Sequence, residues 1–430
     1  MWFRRDLGYG PLFNELLGWG ALVVSSHAVT NVVFAVALGR IPSPVTTNLE
    51  YYAPCALGLE SALLSELEAL GAPWSREHRG GVAFGGDRRL GYQANLWLRS
   101  AIRVQEKLFQ GKVRDDRDLY RLVQRIDWSK YMTLDHTFAV DASVRDSGIS
   151  HSQYAALKVK DAVVDQFRDR VGARPDVDTS APDLPLKVTI LRNIATIYRN
   201  MSGDSLHKRG WRPIQVVSPL NEALAAGLLI MSGWDGQSVL VDPMCGSGTF
   251  VIEAASMASG RAPGLQRMFA FETWPDLDQA LWDDLRAQAQ NRVRPSLDFI
   301  CEGADRHPGA LSLARQAADS AGVAELVRFT HADAREFEPA EQPAQVVVNP
   351  PYGKRMGEGE DLQDSWTALG NFLHGQCRGA TAHVLCGNPE LPRLLGLRAS
   401  RRMPVMNGPI DCRWLRYEVR AERAPARTST

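Results

Sequence analysis

Several features that organise other proteins are missing from this chain of 430 residues. Its six cysteines (Cys55, Cys245, Cys301, Cys377, Cys386 and Cys412) are scattered, and no two stand as Cys-x-x-Cys. That spacing speaks against a zinc site and a disulfide framework, and it suits a reducing cytoplasm. No histidine pair stands at metal-ligand spacing with suitable neighbours, so no metal is expected. Acids and bases balance at 49 each, so no global charge announces a nucleic acid, and any such surface must be local. A membrane span is not expected either. The apolar stretch from Gly20 to Gly39 is broken by Ser25, Ser26, His27, Thr30 and Asn31, and polar groups are costly in hydrocarbon. Arg4 and Arg5 precede it, but no clean small-residue cleavage site follows. Residues 1–48 read as an extension outside the fold, or as upstream sequence included by a wrong start codon. Pro42 and Pro44 close it as a linker.

What is present is the balance of an ordinary globular protein, with 45% hydrophobic and 23% charged residues and a length suited to two or three domains. The stretch that organises the rest runs from Ser238 to Ala254. Val239-Leu240-Val241 reads as a strand. Asp242 and the pair Gly246 and Gly248 read as a tight loop, and Phe250-Val251-Ile252 as a helix start. Glycines let the backbone turn and a ligand approach, and a helix N-terminus offers unpaired N–H groups. Two familiar nucleotide loops fail on detail. No Lys follows Gly248, as a phosphate loop requires. Val251 stands where a dinucleotide fingerprint needs its third Gly or Ala. An acid before the glycines suits a cationic ligand, and S-adenosylmethionine carries an ammonium and a sulfonium.

The rest of the chain alternates. From Leu49 onward a β-α-β-α pattern suggests a small α+β module, with a helix over Gly58 to Leu70. Basic residues recur from Arg99 to Lys130, either as a solvated helix face or as a phosphate-contacting surface. A long amphipathic helix is expected over His151 to Arg170, with Lys158 on its outer side, and a hairpin over Leu186 to Tyr198. Then comes Ser205-Leu-His-Lys-Arg-Gly-Trp-Arg, whose Lys208, Arg209 and Arg212 could clamp phosphates. Trp211 could stack on a base or belong to the core. A helix is expected over Pro219 to Met231, and Phe269 to Trp274 reads as an insertion loop. Further strands are placed at Leu297 to Cys301, Val327 to Phe329, Gln345 to Val348, Thr381 to Cys386 and Trp414 to Val419. Strands alternating with helices imply a doubly wound parallel sheet with ligands at its carboxyl edge.

Chemistry gathers at that edge. Asp305 follows the second strand, where an acid can grip both ribose hydroxyls. Asp333 follows the third, where an acid can accept an adenine amino group. Asn349-Pro350-Pro351-Tyr352 follows the fourth. An exocyclic amino group conjugated with a base is a poor nucleophile, because its lone pair is delocalised. Asn349 Oδ1 and the Pro350 carbonyl can accept its two N–H groups and free that lone pair for attack on a methyl sulfonium. The prolines fix those acceptors, and Tyr352 can stack on a base swung out of its helix.

With these motifs together, the chain resembles the class I S-adenosylmethionine-dependent RNA methyltransferases that carry a THUMP domain. It is most similar to the bacterial 23S rRNA guanine-N2 methyltransferases. The resemblance covers about Leu49 to Val419 and includes Asp242-Pro-Met-Cys-Gly-Ser-Gly-Thr, Arg261-Ala-Pro-Gly-Leu and Tyr154-Ala-Ala-Leu-Lys-Val-Lys-Asp. It implies an α/β fold: a Rossmann-like methyltransferase domain (204–420) preceded by α+β ferredoxin-like (49–112) and THUMP (113–203) domains, with a flexible tail over 421–430. It implies S-adenosylmethionine held by Asp242, Pro243, Cys245, Gly246, Gly248, Thr249, Asp305 and Asp333, with catalysis by Asn349, Pro350 and Tyr352. RNA would be contacted by Lys158, Lys208, Arg209 and Arg212. The expected product is N2-methylguanosine in large-subunit rRNA. The same chemistry on tRNA, or adenine-N6 methylation, stands as the alternative. His307 occupies a position where this family often has a second acid. The fused second methyltransferase of some relatives has no counterpart, which implies a single-activity version.

Overall fold

The computed structural model describes residues 48–212, 220–353 and 362–420. The expectations for residues 1–47, for the first residue of the Pro219 helix and for the tail fall outside them.

Two seven-stranded sheets carry the chain. The first begins with β1 (Leu49–Pro54), α1 (Glu60–Ala69), β2 (Trp74–His78), β3 (Gly81–Gly86), α2 (Arg88–Trp97) and β4 (Gln105–Lys112). It continues with α3 (Asp116–Gln124), β5 (Phe138–Arg145), α4 (Ser152–Val171), β6 (Leu184–Leu191) and β7 (Ile194–Asn200). Its order is β2-β3-β1-β4-β7-β6-β5, so the modules expected on either side of residue 113 share one sheet. The seam is β4 against β7, in register from Gln105↔Asn200. Local chemistry sets the element ends. Asp87 and Asp115 cap α2 and α3 by accepting the N–H of Leu90 and Asp118. Gly172 closes α4 in the left-handed conformation. The β6–β7 turn places Arg192 and Asn193 at positive φ, as a tight hairpin requires.

The second sheet follows α5 (Glu222–Ser232). Its parts are β8 (Leu240–Asp242), α6 (Thr249–Ala258), α7 (Gln279–Asn291), β9 (Cys301–Asp305), α8 (Pro308–Ala321), β10 (Val327–His331) and β11 (Gln345–Val348). After these come α9 (Leu362–Gln376), β12 (Thr381–Cys386), β13 (Arg401–Asn407) and β14 (Ile410–Glu418). The order is β10-β9-β8-β11-β12-β14-β13. The first five strands run parallel, and β14 is antiparallel to both its neighbours. The chain therefore reverses direction across the sheet between β8 and β11, and the strand ends there form the crevice where open α/β sheets bind ligands.

The second strand starts at Cys301, four residues later than its apolar run suggests, because Leu297 lies in the approach to the sheet. β2 and β13 have no counterpart in the sequence reading. β2 carries mostly exposed polar residues, and β13 contains Pro404, which an edge strand tolerates. Phe269 to Trp274 is not a solvent loop. Phe271 stacks on Tyr92 at 4.5 Å and meets Trp282 at 4.9 Å, which sews the second half to α2 of the first. Arg199 of β7, 2% exposed, reaches Glu106 and Asp276 at 2.8 Å each and lies 4.2 Å from the Trp274 ring. Removing Arg199 would strand the buried Glu106 carboxylate, which makes this network a fixed joint.

Candidate active site

The Ser238–Ala254 loop turns because Gly246 and Gly248 take φ of 53° and 76°. They serve different ends. A Cβ on Gly248 would lie 2.8 Å from the Phe329 ring and 3.1 Å from Ala314, so this glycine lets α6 close on its neighbours. A Cβ on Gly246 would meet nothing within 4 Å, so this position faces open space. Gly303 on β9 leaves room for Cys245, whose Sγ would stand 3.0 Å from an added Cβ. Burial, with the charges of Asp242 and Asp305, pushes the Cys245 thiol well up, so it stays protonated and packs as an apolar group.

Asp242 ends β8 with 2% of its surface exposed, and its Oδ1 accepts the Met244 N–H at 3.1 Å. Burial first, then the nearby Asp305 charge, holds its carboxyl well above the usual range. Asp305 ends β9 and accepts the N–H of Gly246 at 2.8 Å and of His307 at 2.9 Å. The second acid thus braces the first loop, a link that strand-end arithmetic in the sequence does not reveal. Among the described residues neither carboxylate has a Lys or Arg partner. Two neighbouring buried acids without a cation, beside an open glycine, fit a cationic cofactor. Asp333, half-buried beyond β10, accepts the Arg335 N–H at 3.0 Å, and the Arg335 guanidinium lies 3.5 Å from it.

Asn349 and Pro350 follow β11, the strand beside β8. Among the described residues the buried Asn349 Oδ1 has no hydrogen-bond partner. An orphaned carbonyl oxygen of this kind is uncommon and calls for a donor. The tetrapeptide is pinned at two points after Asn349. Trp366 Nε1 of α9 donates to the Pro351 carbonyl at 2.8 Å. Asn407 Nδ2 donates to the Tyr352 hydroxyl at 2.7 Å. A Cβ on Gly387 would lie 2.6 Å from the Tyr352 ring, so the ring rests on backbone there.

The basic residues proposed for RNA divide. Arg209 is 3% exposed, its Nε is 3.1 Å from Glu253 Oε1 of α6, and its Nη atoms reach the carbonyls of Leu206 and Arg99. It cannot face RNA. Arg212 donates to Thr249 Oγ1 at 2.9 Å and pairs with Glu222 at 3.3 Å, so it holds the start of α6 rather than a phosphate. Arg99, the first of the Arg99–Lys130 run, is buried against the Arg261 carbonyl at 2.5 Å. Trp211 is core. Lys208 is exposed and paired with Asp204, while Lys158 pairs with Asp116 at 3.4 Å. Arg267 was missed altogether: it donates to the carbonyls of Ser202, Asp204, Ser205 and Lys208 and so shapes the loop ahead of Arg209. A basic run bracketed by glycines reads the same whether it clamps phosphates or carbonyls.

Comparison with known proteins agrees with this architecture. Residues 209–416 match the RMKL-like methyltransferase domain, residues 113–200 the THUMP domain and residues 50–105 the RlmL ferredoxin-like domain. A protein of Synechocystis sp. provisionally named an RNA methyltransferase is 38% identical over 87% of this chain and 97% of its own length. The ribosomal RNA large subunit methyltransferase K/L of Syntrophotalea carbinolica is 39% identical over 87% of this chain. The match spans only 54%, about half, of that relative. The crystal structure of SMU.472, named as a methyltransferase complexed with SAH, superposes with a TM-score of 0.79 at 26% identity, over 88% of this chain and 99% of its own. The chain belongs to the THUMP-bearing class I family of S-adenosylmethionine-dependent RNA methyltransferases. Among the described residues no cluster of ligands could hold a metal ion, and no helix is long and apolar enough to cross a membrane.

Proposed function

We propose that this methyltransferase acts on the exocyclic amino group of a guanine in large-subunit rRNA and forms N2-methylguanosine. The observation that carries the reading is the orphaned Asn349 Oδ1 at the end of β11, next to the strand that ends in Asp242. S-adenosylmethionine supplies an electrophilic methyl group on a sulfonium that leaves as a neutral thioether. Asp242 takes the cofactor's cationic end, and Asp305 holds its ribose while bracing the glycine loop through Gly246. Asn349 Oδ1 accepts one amino N–H and the Pro350 carbonyl the other, which draws the nitrogen lone pair out of conjugation with the base. The N–CH3 bond forms as the S–CH3 bond breaks, and the methylated nitrogen then loses one proton to solvent. Preorganised acceptors of this kind lower the barrier because nothing reorganises during the reaction. Tyr352 gives the extruded base a face to stack on. Its anchors, Asn407 and Gly387, hold it in place beforehand.

The choice of large-subunit rRNA is supported by the name of the K/L relative. Nucleoside mass spectrometry on rRNA and tRNA from a strain lacking the gene tests it. Loss of one N2-methylguanosine from large-subunit rRNA is expected. Loss confined to tRNA, or loss of N6-methyladenosine, overturns it.

A further inference from the structure

The side chains of Arg393, Arg398, Arg401 and Arg402 are all exposed, and among the described residues none of these guanidiniums makes a hydrogen bond or an ion pair. The chain from Leu391 to Ile410 contains no acid at all. Nearby arginines behave differently: Arg413 is neutralised by Asp411 and Arg416 by Glu418 on β14. The unpaired four lead into and begin β13, the edge strand of the catalytic sheet. Arg401 and Arg402 are consecutive on that strand, so their side chains leave opposite faces and flank the edge. The same strand ends at Asn407, which holds the Tyr352 hydroxyl at 2.7 Å. β13 runs parallel to β12, so Arg401 and Arg402 stand at the amino end of the strand. That end lies roughly 20 Å along it from Asn407 and from a base stacked on Tyr352, a separation that a few nucleotides of extended RNA span.

We propose that this edge is an RNA-docking surface, on which phosphates a few nucleotides away from the target are taken by these four guanidiniums. It rests on the reading that the acceptor base is presented at Asn349 and Tyr352. An unpaired guanidinium suits a phosphate: it presents a planar fork of donors and stays charged at any working pH. An exposed one gives up little hydration to make the contact, and each phosphate neutralised releases counterions. This surface replaces the contacts expected of Arg209 and Arg212, which are spent inside the protein.

The test compares the full chain with two fourfold variants, one Arg→Ala and one Arg→Lys at positions 393, 398, 401 and 402. The probe is in vitro transcribed large-subunit rRNA, with binding followed across a salt series from about 50 to 200 mM. In the Ala variant the slope of log affinity against log salt should fall by roughly 3, with affinity reduced on the order of 10- to 100-fold at the low-salt end. The Lys variant should keep most of the slope, and calorimetric affinity for SAH should be unchanged in both. An unchanged slope in an Ala variant that still binds SAH overturns the proposal. If the fourfold Ala variant loses SAH binding, Arg401→Ala and Arg402→Ala are measured singly. Each should lower the slope by about 1, and no change in either overturns the proposal as well. Because binding is read without product, a wrong assignment of the methylated base leaves this result standing. A normal slope in a variant that still makes N2-methylguanosine sinks this inference alone.

Discussion

Arg209 Nε lies 3.1 Å from Glu253 Oε1, and both side chains are 2% exposed. The pair ties the strap that leaves the first sheet to the middle of α6, the helix that begins at the glycine loop. One turn earlier on α6, Arg212 holds Thr249. Two basic residues that resemble a phosphate clamp are therefore the fastening between the two halves.

Arg209→Ala should leave the Glu253 charge buried and alone, and should destabilise the fold by about 3–5 kcal/mol in urea unfolding. Replacing both residues with methionine should recover part of that loss, because the apolar pair leaves no buried charge, although the Leu206 and Arg99 carbonyls still lose a donor. The double variant should also keep the salt dependence of RNA binding. A slope lower by about 1 in that variant would mean that Arg209 touches RNA after all.

Asp242 governs a pH effect whose sign is fixed by its environment. Burial and the Asp305 charge raise its carboxyl in the folded chain, whereas an unfolded aspartate ionises near about 3.9. Between those values the unfolded chain has released a proton that the folded chain keeps. Stability of the cofactor-free protein should therefore fall as pH rises through that window and stay low above it. Asp242→Asn should flatten this dependence and raise the melting temperature of the cofactor-free protein at neutral pH. The same change should weaken S-adenosylmethionine binding on the order of 10- to 100-fold, the worth of a charge-assisted hydrogen bond. Calorimetry showing undiminished affinity would remove Asp242 from the cofactor site.

The two glycines of the loop should separate fold from ligand. Gly248→Ala adds a Cβ 2.8 Å from the Phe329 ring on top of a φ of 76°, and should destabilise the protein by more than about 2 kcal/mol. Gly246→Ala meets no neighbour, so only the backbone penalty of about 1–2 kcal/mol applies to stability. Its larger effect should fall on cofactor affinity. Equal unfolding midpoints and equal affinities in the two variants would contradict this division.

How far the sequence carried the account depends on whether a feature is local. The strand-loop-helix at Asp242 and the strand that leads into Asn349 were legible because their signals lie within a few adjacent residues. β13 was hidden because its exposed arginines and Pro404 show no apolar alternation beyond Met403 and Val405. The fate of Arg209 and Arg212 was hidden for another reason. Their partners, Glu253 and Glu222, are 44 and 10 residues away, and only the fold brings them together. The same holds for Asn407, which finds Tyr352 across 55 residues.

Asn349→Ala, assayed for methyl transfer to rRNA alongside calorimetric binding of S-adenosylmethionine, tests the central claim most directly. The variant should bind the cofactor with wild-type affinity, since Asn349 follows β11 and the paired acids end β8 and β9. It should lose methyl transfer by roughly 100-fold or more, the effect of removing one preorganised acceptor from the developing charge. A variant that binds the cofactor and methylates RNA at the wild-type rate would contradict the account.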